Sequence, residues 1–560
     1  MPDAYAVSPD TLRIRLSVPR GQAGTVWIHY GDRYARQRPL AMMMSHQGMT
    51  ASFDVFQADI SVATGRFQYL FEIQLFTGET MVYGEDGVGR SLSTDRPFQF
   101  AAILHRDLYS VPSWSTTAVC YEIFPDRFLR YPTDLKPPSP SPLAAWDSTP
   151  TSSSFFGGTL AGIIQKLPYL AELGISLIYL TPIFASRSNH RYDTDDYYRI
   201  DPMLGTPEDL KKLVREAHQR GIRVMLDAVF NHSSSRFFAF QDVVAKGKRS
   251  PYWDWYFIKG SEVSTKPLNY QTFANGIANM PKLNFANPAV EAYFLEVARH
   301  WIREAGIDGW RLDVANEVDH RFWRTFREAI KQEFPECLIV GEVWHDPLPW
   351  VQGDQFDGVM NYRLRNIVDD FFVQKKISVT ELASRLDDLR FSLPSPALSA
   401  GLNLVGSHDT ERVLTWVHED EEAYLAILVL LFSWQGIPMI YYGDEIGMLG
   451  GTDPLCRGGM QWDRNPGKSP IFRAIQALIG LRAQYGALRG EKLTIEHALA
   501  SQHILQYRRQ DQDGSELVIT INLSPSPISL PASRSTLFST VASGSREKLP
   551  PRHAEIWIAQ

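Results

Sequence analysis

The sequence predicts an α/β fold: a (β/α)8 barrel of the TIM type with a small insertion, preceded and followed by β-sandwiches. Three observations predict it. Short apolar strands alternate with amphipathic helices through the middle of the chain, a pattern that implies a parallel sheet with helical cover. Strand-like runs with few helical periods occupy both ends. The 560 residues, at about 150 per domain, leave room for three or four units. The alternating region, 113–484, suits a barrel with long loops better than a doubly wound sheet.

In chain order, residues 12–16 alternate strictly between apolar and basic side chains, and 25–30 are rich in β-formers ahead of Gly31. With Phe67–Leu75 and 98–104 they define an N-terminal sandwich over 1–112. A strand at 118–123 follows. The Pro/Ser-rich stretches 137–142 and 149–154 could be an interdomain linker, but a strand precedes them and the helix Leu160–Leu173 follows, so a long βα loop fits better. Strand 175–180 runs into Thr181-Pro182. Thr206, Pro207 and Asp209 then start a helix that carries Leu210, Leu213, Val214 and Ala217 on one face and stops at Gly221. After strand 222–227 comes an inserted domain B at about 231–284, and Asn287-Pro288 starts a long helix to Ala305. Strands at 309–313, 338–342, 402–405 and 438–441 continue the barrel, with an apolar helix at 423–432. Runs at 506–509, 517–521 and Ala554–Ile558 define a C-terminal sandwich over 485–560.

Composition limits the function classes. Hydrophobic residues at 44% and charged residues at 21% require a large core and exclude global disorder. A net charge of −7 offers no basic surplus for nucleic acid or an anionic membrane. Three cysteines form neither a disulfide framework nor a metal-ligand spacing. The opening MPDAYAVSPD lacks the basic start and apolar run of a signal peptide, and the apolar run at 423–432 is about half a membrane span. A soluble, cytoplasmic protein is expected.

Polar clusters fall where the barrel strands should end: Asp227 with Asn231-His232, Arg311 with Asp313, Glu342 with Trp344, and His408 with Asp409. Such ends converge on one mouth, the usual place of a barrel's active site. One such aspartate alone would read as a helix cap or a surface ion pair; four clusters at successive strand ends read as a site. Arg311 and Asp313, two apart on a strand, point the same way, and the guanidinium should keep Asp313 ionised. Glu342 follows an apolar run, surroundings that would raise its pKa and suit it to acid work. His232 and His408 would supply neutral donors to a hydroxyl-rich ligand. A metal role fits them less well, since neither has a histidine partner at helical spacing. A nucleophilic carboxylate, an acid and a third aspartate describe retaining glycoside hydrolysis, in which the first two stand about 5–5.5 Å apart.

With these residues in place, the sequence resembles glycoside hydrolase family 13, the α-amylase family, in its group of cyclomaltodextrinases, neopullulanases and maltogenic amylases. The resemblance rests on Gly309-Trp-Arg-Leu-Asp-Val-Ala-Asn-Glu317, Met280-Pro-Lys-Leu-Asn284, Tyr121-Glu-Ile-Phe-Pro-Asp-Arg-Phe128, Ser188-Asn-His-Arg-Tyr-Asp-Thr194 and Gly443-Asp-Glu-Ile-Gly447. It implies Asp313 as nucleophile, Glu342 as acid/base and Asp409 as transition-state stabiliser. Arg311, His232 and His408 would hold the sugar at the cleavage subsite, with Tyr192 stacked on it and Asp227 structural or sugar-contacting. Asp453 and Arg457 match a pair for the outer sugar on the non-reducing side; Asn316, Glu317 and Trp344 match positions lining the aglycone side. For Tyr192 and Trp344 the plain alternative is core packing, and for Asn316 and Glu317 a helix start.

The implied substrate is an α-glucan: cyclomaltodextrins, maltooligosaccharides, pullulan and starch, with transfer to sugar acceptors as a second outcome. An α-glucosidase or other sugar-transferring relative is the alternative within the family, and a non-catalytic sugar-binding scaffold the alternative outside enzymes. One departure stands out. Many relatives carry a calcium loop after the first-strand motif, with an aspartate after Phe-x-Gly-Gly. Here the loop reads Phe128-Leu-Arg-Tyr-Pro-Thr-Asp134, and Thr159 follows Phe155-Phe-Gly-Gly158. Oxygen ligands are lost from both halves, Arg130 could replace the ion's charge, and no calcium or other cofactor is expected. The resemblance further implies a homodimer formed through the N-terminal, carbohydrate-binding-like domain.

Overall fold

The computed structural model describes residues 4–35, 39–89, 92, 96–131, 143–464, 469–541 and 548–558. Its centre is a barrel of eight parallel strands: β1 (Cys120–Ile123), β2 (Leu177–Leu180), β3 (Arg223–Ala228), β4 (Gly309–Leu312), β5 (Leu338–Gly341), β6 (Gly358–Val359), β7 (Leu402–Asn403) and β8 (Ile437–Tyr441). They lie in the order 6-5-4-3-2-1-8-7, and a bridge from Met360 to Leu402 joins the two ends and nearly closes the ring. Both faces are buried, so the strands read as continuous apolar runs rather than alternating ones. Cys120, Leu177, Tyr179, Met225, Leu338, Val340, Leu402 and Met439 fill the interior. Their neighbours, Tyr121, Ile178, Val224, Leu226 and Ile339, pack outward under the helices.

The helices start where their capping chemistry says. Thr206 and Asp209 form a reciprocal box at the head of Pro207–His218, and Leu210, Leu213, Val214 and Ala217 are buried beneath it. Asn287 caps Pro288–Ala305, and Thr159 caps Leu160–Leu173 by accepting from the Gly162 N–H. The apolar helix spans Glu421–Ser433 and is buried along most of its length. Insert 231–284 is tied at its base by bridges His232–Lys282 and Tyr256–Leu283.

The N-terminal domain is a two-sheet sandwich. One sheet runs Ala4–Ser8, Thr11–Pro19, Phe53–Ser61, Ser45–Met49, and the other is built around Ala23–Asp32 and Phe67–Leu75. Leu12, Ile14, Leu16 and Val18 face Val26, Ile28, Phe71 and Ile73 across the core. At the other end a five-stranded sheet carries Ile504–Gln510, Glu516–Asn522 and Ala554–Ile558 side by side.

Several details differ from the sequence reading; β1 and β2 begin at Cys120 and Leu177 rather than at 118 and 175. Strand β6 was not legible, because two residues after a long turn carry no period. Strand β7 ends at Asn403 rather than 405. The strand from Phe98 stops at Phe100, because the Asp107 carboxylate accepts the Leu104 N–H at 2.7 Å and winds 105–107 into a 3-10 turn. The Pro/Ser run 137–142 lies outside the described residues, whereas 149–154 is held against the barrel mouth by Asn189, which donates to the Ser152 and Ser154 carbonyls.

Candidate active site

The site grows from the ends of β3, β4 and β5. Arg311 lies on β4 and Asp313 just beyond it, so both side chains enter the barrel mouth. The buried Arg311 guanidinium is shared. Its Nη1 is 2.8 Å from Asp313 Oδ1 and 3.0 and 3.1 Å from the two oxygens of Asp227, at the end of β3. Its Nη2 lies 2.9 Å from Glu342 Oε2, just past β5, as an ion contact without hydrogen-bond alignment. Asp313 and Glu342 thus flank one cation. Asp313 Oδ2 is buried and accepts no hydrogen bond from the described residues.

Val314 follows Asp313 with φ 45° and ψ 42°, a left-handed conformation that is strained for a β-branched residue. That conformation turns the Val314 N–H onto Glu342 Oε2 at 2.9 Å, while Trp344 Nε1 donates to Glu342 Oε1 at 2.9 Å.

Two electrostatic expectations change here. Burial pushes the Asp313 carboxyl well up; Arg311 opposes this, and Glu342 and Asp227 add to it. The single guanidinium is divided among three carboxylates, so it does not hold Asp313 low. Glu342 is gripped by a guanidinium, a backbone amide and an indole rather than set in an apolar pocket.

On the facing side, Asp409 Oδ1 accepts from Arg457 Nη2 at 3.0 Å, and Oδ2 lies 3.1 Å from His408 Nε2. Arg457 also donates through Nε to the His408 carbonyl at 2.8 Å and pairs with Asp453 at 3.0 Å. Burial pushes Asp409 up, but His408 and Arg457 outweigh it and hold the carboxyl well below its ordinary range. His408 is fully buried with Nδ1 against Glu122 of β1. Burial pulls its imidazole down, yet Asp409 and Glu122 together hold it up at about 10. The two carboxylates favour the charged imidazole over the neutral donor expected, and the second of them comes from a strand far away in sequence.

Tyr192 is half-buried, with its ring 5.5 Å from that of His408 and nearly parallel to it. Its hydroxyl donates to Asp227 Oδ2 at 2.9 Å and lies 2.6 Å from His408 Nε2. Asp227 also accepts from Tyr179 at 2.6 Å, so protein groups surround it. His232 is buried and stacked on Phe273, with Nε2 3.1 Å from the Tyr192 carbonyl and Nδ1 3.2 Å from Asn231 Nδ2. Burial lowers it to about 3, so it is neutral, and its Nε2 buttresses Tyr192.

Trp344 is 44% exposed and lies flat on Tyr362 at 3.7 Å, which makes it a platform wall rather than core. Asn316 and Glu317 are exposed in a 3-10 turn over Ala315–Glu317. Lys282 reaches from the insert to both Asn231 Oδ1, at 2.6 Å, and Glu317 Oε2, at 3.0 Å. A groove of about 530 Å³ opens beside Asp409 and Trp344, walled by Arg365, Glu411, Trp416 and His418. Residues the sequence did not single out are Glu122, Tyr179, Lys282, Val314 and Tyr362. Glu122, Lys282 and Val314 stand inside motifs quoted for the resemblance, and nothing local to them signals a partner. Among the described residues, no group of three or more His, Cys, Asp or Glu side chains is arranged to hold a metal ion.

The sequence was compared with known families. The model of the α-amylase catalytic domain matches residues 122–473, and that of the α-amylase N-terminal Ig-like domain matches 1–104. The chain belongs to the α-amylase family. A domain of unknown function matches 496–557. Among curated family members, a cyclomaltodextrinase of Geobacillus thermopakistaniensis (strain MAS1) is 44% identical, over 94% of this chain and 90% of its own. Neopullulanase 2 of Thermoactinomyces vulgaris is 43% identical, over 91% and 87%. A solved cyclomaltodextrinase structure of the family superposes with a TM-score of 0.90 at 35% identity, covering 99% of this chain and 98% of its own.

Proposed function

We propose that the chain is a retaining α-glucan hydrolase that cleaves α-1,4-glucosidic bonds in cyclomaltodextrins and maltooligosaccharides, and in pullulan and starch where they enter the cleft. The observation that carries this reading is the pair Asp313 and Glu342 on one guanidinium, with Asp409 opposite. With the proton of the pair on Glu342 and Asp313 ionised beside Arg311, Asp313 Oδ2 attacks the anomeric carbon while Glu342 gives that proton to the departing glycosidic oxygen, so the C–O bond breaks as the glycosyl–aspartate bond forms. Glu342, now a carboxylate, takes a proton from water; the hydroxide equivalent displaces Asp313 and restores the anomeric configuration. A sugar hydroxyl in place of water gives transfer. Asp409 and Arg311 stabilise the positive charge and the carboxylates around it. Tyr192 stacks on the sugar at the cleavage point, Asp453 and Arg457 hold the next sugar on the non-reducing side, and Trp344, Asn316 and Glu317 line the aglycone side.

The relatives named cyclomaltodextrinase and neopullulanase support the substrate class. Rates on β-cyclodextrin, soluble starch and pullulan test it: cyclodextrin should be cleaved at least as fast as starch, and a strong preference for starch would sink the assignment. Asp313→Asn should lose at least about a thousandfold in kcat with its fold intact.

The same reading carries a cytoplasmic homodimer joined through the N-terminal sandwich, where Leu40, Met43, Phe76 and Val88 are each more than half exposed. It also carries the absence of calcium from the loop after β1. Arg130 donates there to the Phe156 carbonyl at 2.9 and 2.7 Å and to the Ala144 carbonyl at 2.9 Å, so carbonyls of the kind a calcium ion would use already face a cation. Pro132, Thr133 and Asp134 of that loop lie outside the described residues. No helix of the described residues is long and apolar enough to cross a membrane.

A further inference from the structure

Glu122 is a buried carboxylate at the barrel mouth that the proposed chemistry does not use. It lies on β1, fully enclosed. Its Oε1 meets His408 Nδ1 and accepts the His408 backbone N–H at 3.3 Å, and its Oε2 has no hydrogen-bond partner among the described residues. His408 is the only cationic side chain found in contact with it among the described residues. An enclosed carboxylate without a cation is strongly disfavoured, so a proton must sit between the two groups, and the more basic imidazole nitrogen holds it.

The opposite edge of the ring fixes the second proton. His408 Nε2 faces Asp409 Oδ2 at 3.1 Å and the Tyr192 hydroxyl at 2.6 Å. The single hydroxyl proton of Tyr192 points to Asp227 Oδ2 at 2.9 Å and cannot also serve Nε2. Asp227 accepts from Tyr179 and Arg311, bonds that favour its carboxylate form. A neutral imidazole would leave a nitrogen lone pair facing oxygen at one edge or the other. Only a ring protonated at both nitrogens satisfies Glu122 on one side and Asp409 with Tyr192 on the other. The remaining neighbours, Arg457 Nε and Cys456 Sγ, bond to the His408 carbonyl and not to the ring.

We infer that Glu122 is a positioning residue that keeps His408 a doubly donating imidazolium, and that this cation, with Arg457, clamps Asp409 for catalysis. The inference rests on the reading of Asp409 as the third carboxylate of an α-glucan hydrolase. Asp409 is then held at both oxygens, and Tyr192 is held at its hydroxyl, before any sugar arrives. An amide in place of Glu122 keeps the shape but removes the counter-charge, so His408 should lose its Nε2 proton within the working pH range, and the clamp with it.

The test compares the wild type with Glu122→Gln by two readouts. In ¹⁵N-histidine-labelled protein, with His408 assigned by its loss in His408→Asn, both ring nitrogens of the wild type should remain protonated from about pH 5 to about pH 9. In Glu122→Gln the ring should titrate inside that range. On β-cyclodextrin, kcat of Glu122→Gln should stay within about threefold of wild type at the acid end and fall a further tenfold or more at the alkaline end, with KM changing much less. A neutral His408 in the wild type at neutral pH, or a Glu122→Gln pH profile that superimposes on the wild type, overturns the inference. If Glu122→Gln does not fold, the wild-type spectrum alone decides. If the wild type cleaves no α-glucan, the hydrolase reading fails while the spectrum still reports on the Glu122–His408 pair.

Discussion

At the residue scale, the site is a problem of distributing few cations among many carboxylates. Arg311 serves Asp227, Asp313 and Glu342; Arg457 serves Asp409 and Asp453. The sequence placed Arg311 beside Asp313 but gave no sign that two other strand ends would draw on the same guanidinium. Strand spacing shows that residues i and i+2 share a face; it says nothing of what the neighbouring strands bring to that face. Arg130 makes the corresponding point at the loop after β1. Added calcium should leave the melting temperature unchanged within about 1 °C, because a ligand that does not bind cannot shift the folding equilibrium. A rise of several degrees in calcium-titrated thermal melts would show that the loop binds the ion after all.

At the element scale, the strand termini set the catalytic geometry, and β5 is closely packed at its end. A Cβ at Gly341 would stand 2.4 Å from the Phe356 ring, so only glycine lets that ring pack under the residue before Glu342. Gly341→Ala should cost about 1–3 kcal/mol of stability through overpacking and lower kcat, because Glu342 shifts with the strand end. Denaturant melts and cyclodextrin kinetics check both parts; an unchanged kcat would separate the strand end from the chemistry. The helices were legible because capping is local: Thr206 with Asp209 and Asn287 with Pro288 declare themselves within a few residues. Strand β6 was not, because Gly358 and Val359 become a strand only through pairing with β5, where Val340 and Gly341 are their partners.

At the scale of the whole molecule, one helix of the barrel joins all three parts. On Val379–Phe391, Asp387 accepts from the Met49 N–H of the N-terminal sandwich at 3.1 Å and lies 2.8 Å from His497 in the C-terminal region. Arg390 donates to the Gln47 carbonyl at 2.7 Å and to the Leu493 carbonyl. The pH dependence of stability also belongs to the whole. His232, lowered to about 3 by burial, contributes stability that is present above its ordinary value of 6.5 and is lost as pH falls. Asp444, raised to about 7 by burial, contributes stability that is present below its ordinary 3.8 and is lost as pH rises to about 7. The two slopes oppose each other between about pH 4 and 6.5. His408, held at about 10 against burial by Asp409 and Glu122, contributes stability fully present below 6.5 and lost as pH rises towards 10. Asp313, also pushed up by burial, adds to the slope of Asp444, so the melting temperature should fall as pH rises above about 6.5, where His232 no longer opposes them. Its alkaline fall should be shallower in Glu122→Gln. Scanning calorimetry across pH gives the profile, and stability that rises steadily above pH 7 would contradict it.

The sequence by itself determined the barrel with its two flanking β domains, most of the strands and helices, and the identity of the acidic residues at the mouth. Each of these depends on local periodicity, capping or short motifs, which the chain carries in order. Only the tertiary structure decided which charges face one another. It made Arg311 common to three carboxylates, turned Val314 left-handed so that its amide meets Glu342, and set Glu122 behind His408. Those contacts join residues tens to hundreds of positions apart, and Coulomb and hydrogen-bond energies depend on their distance in space, for which sequence separation is no guide.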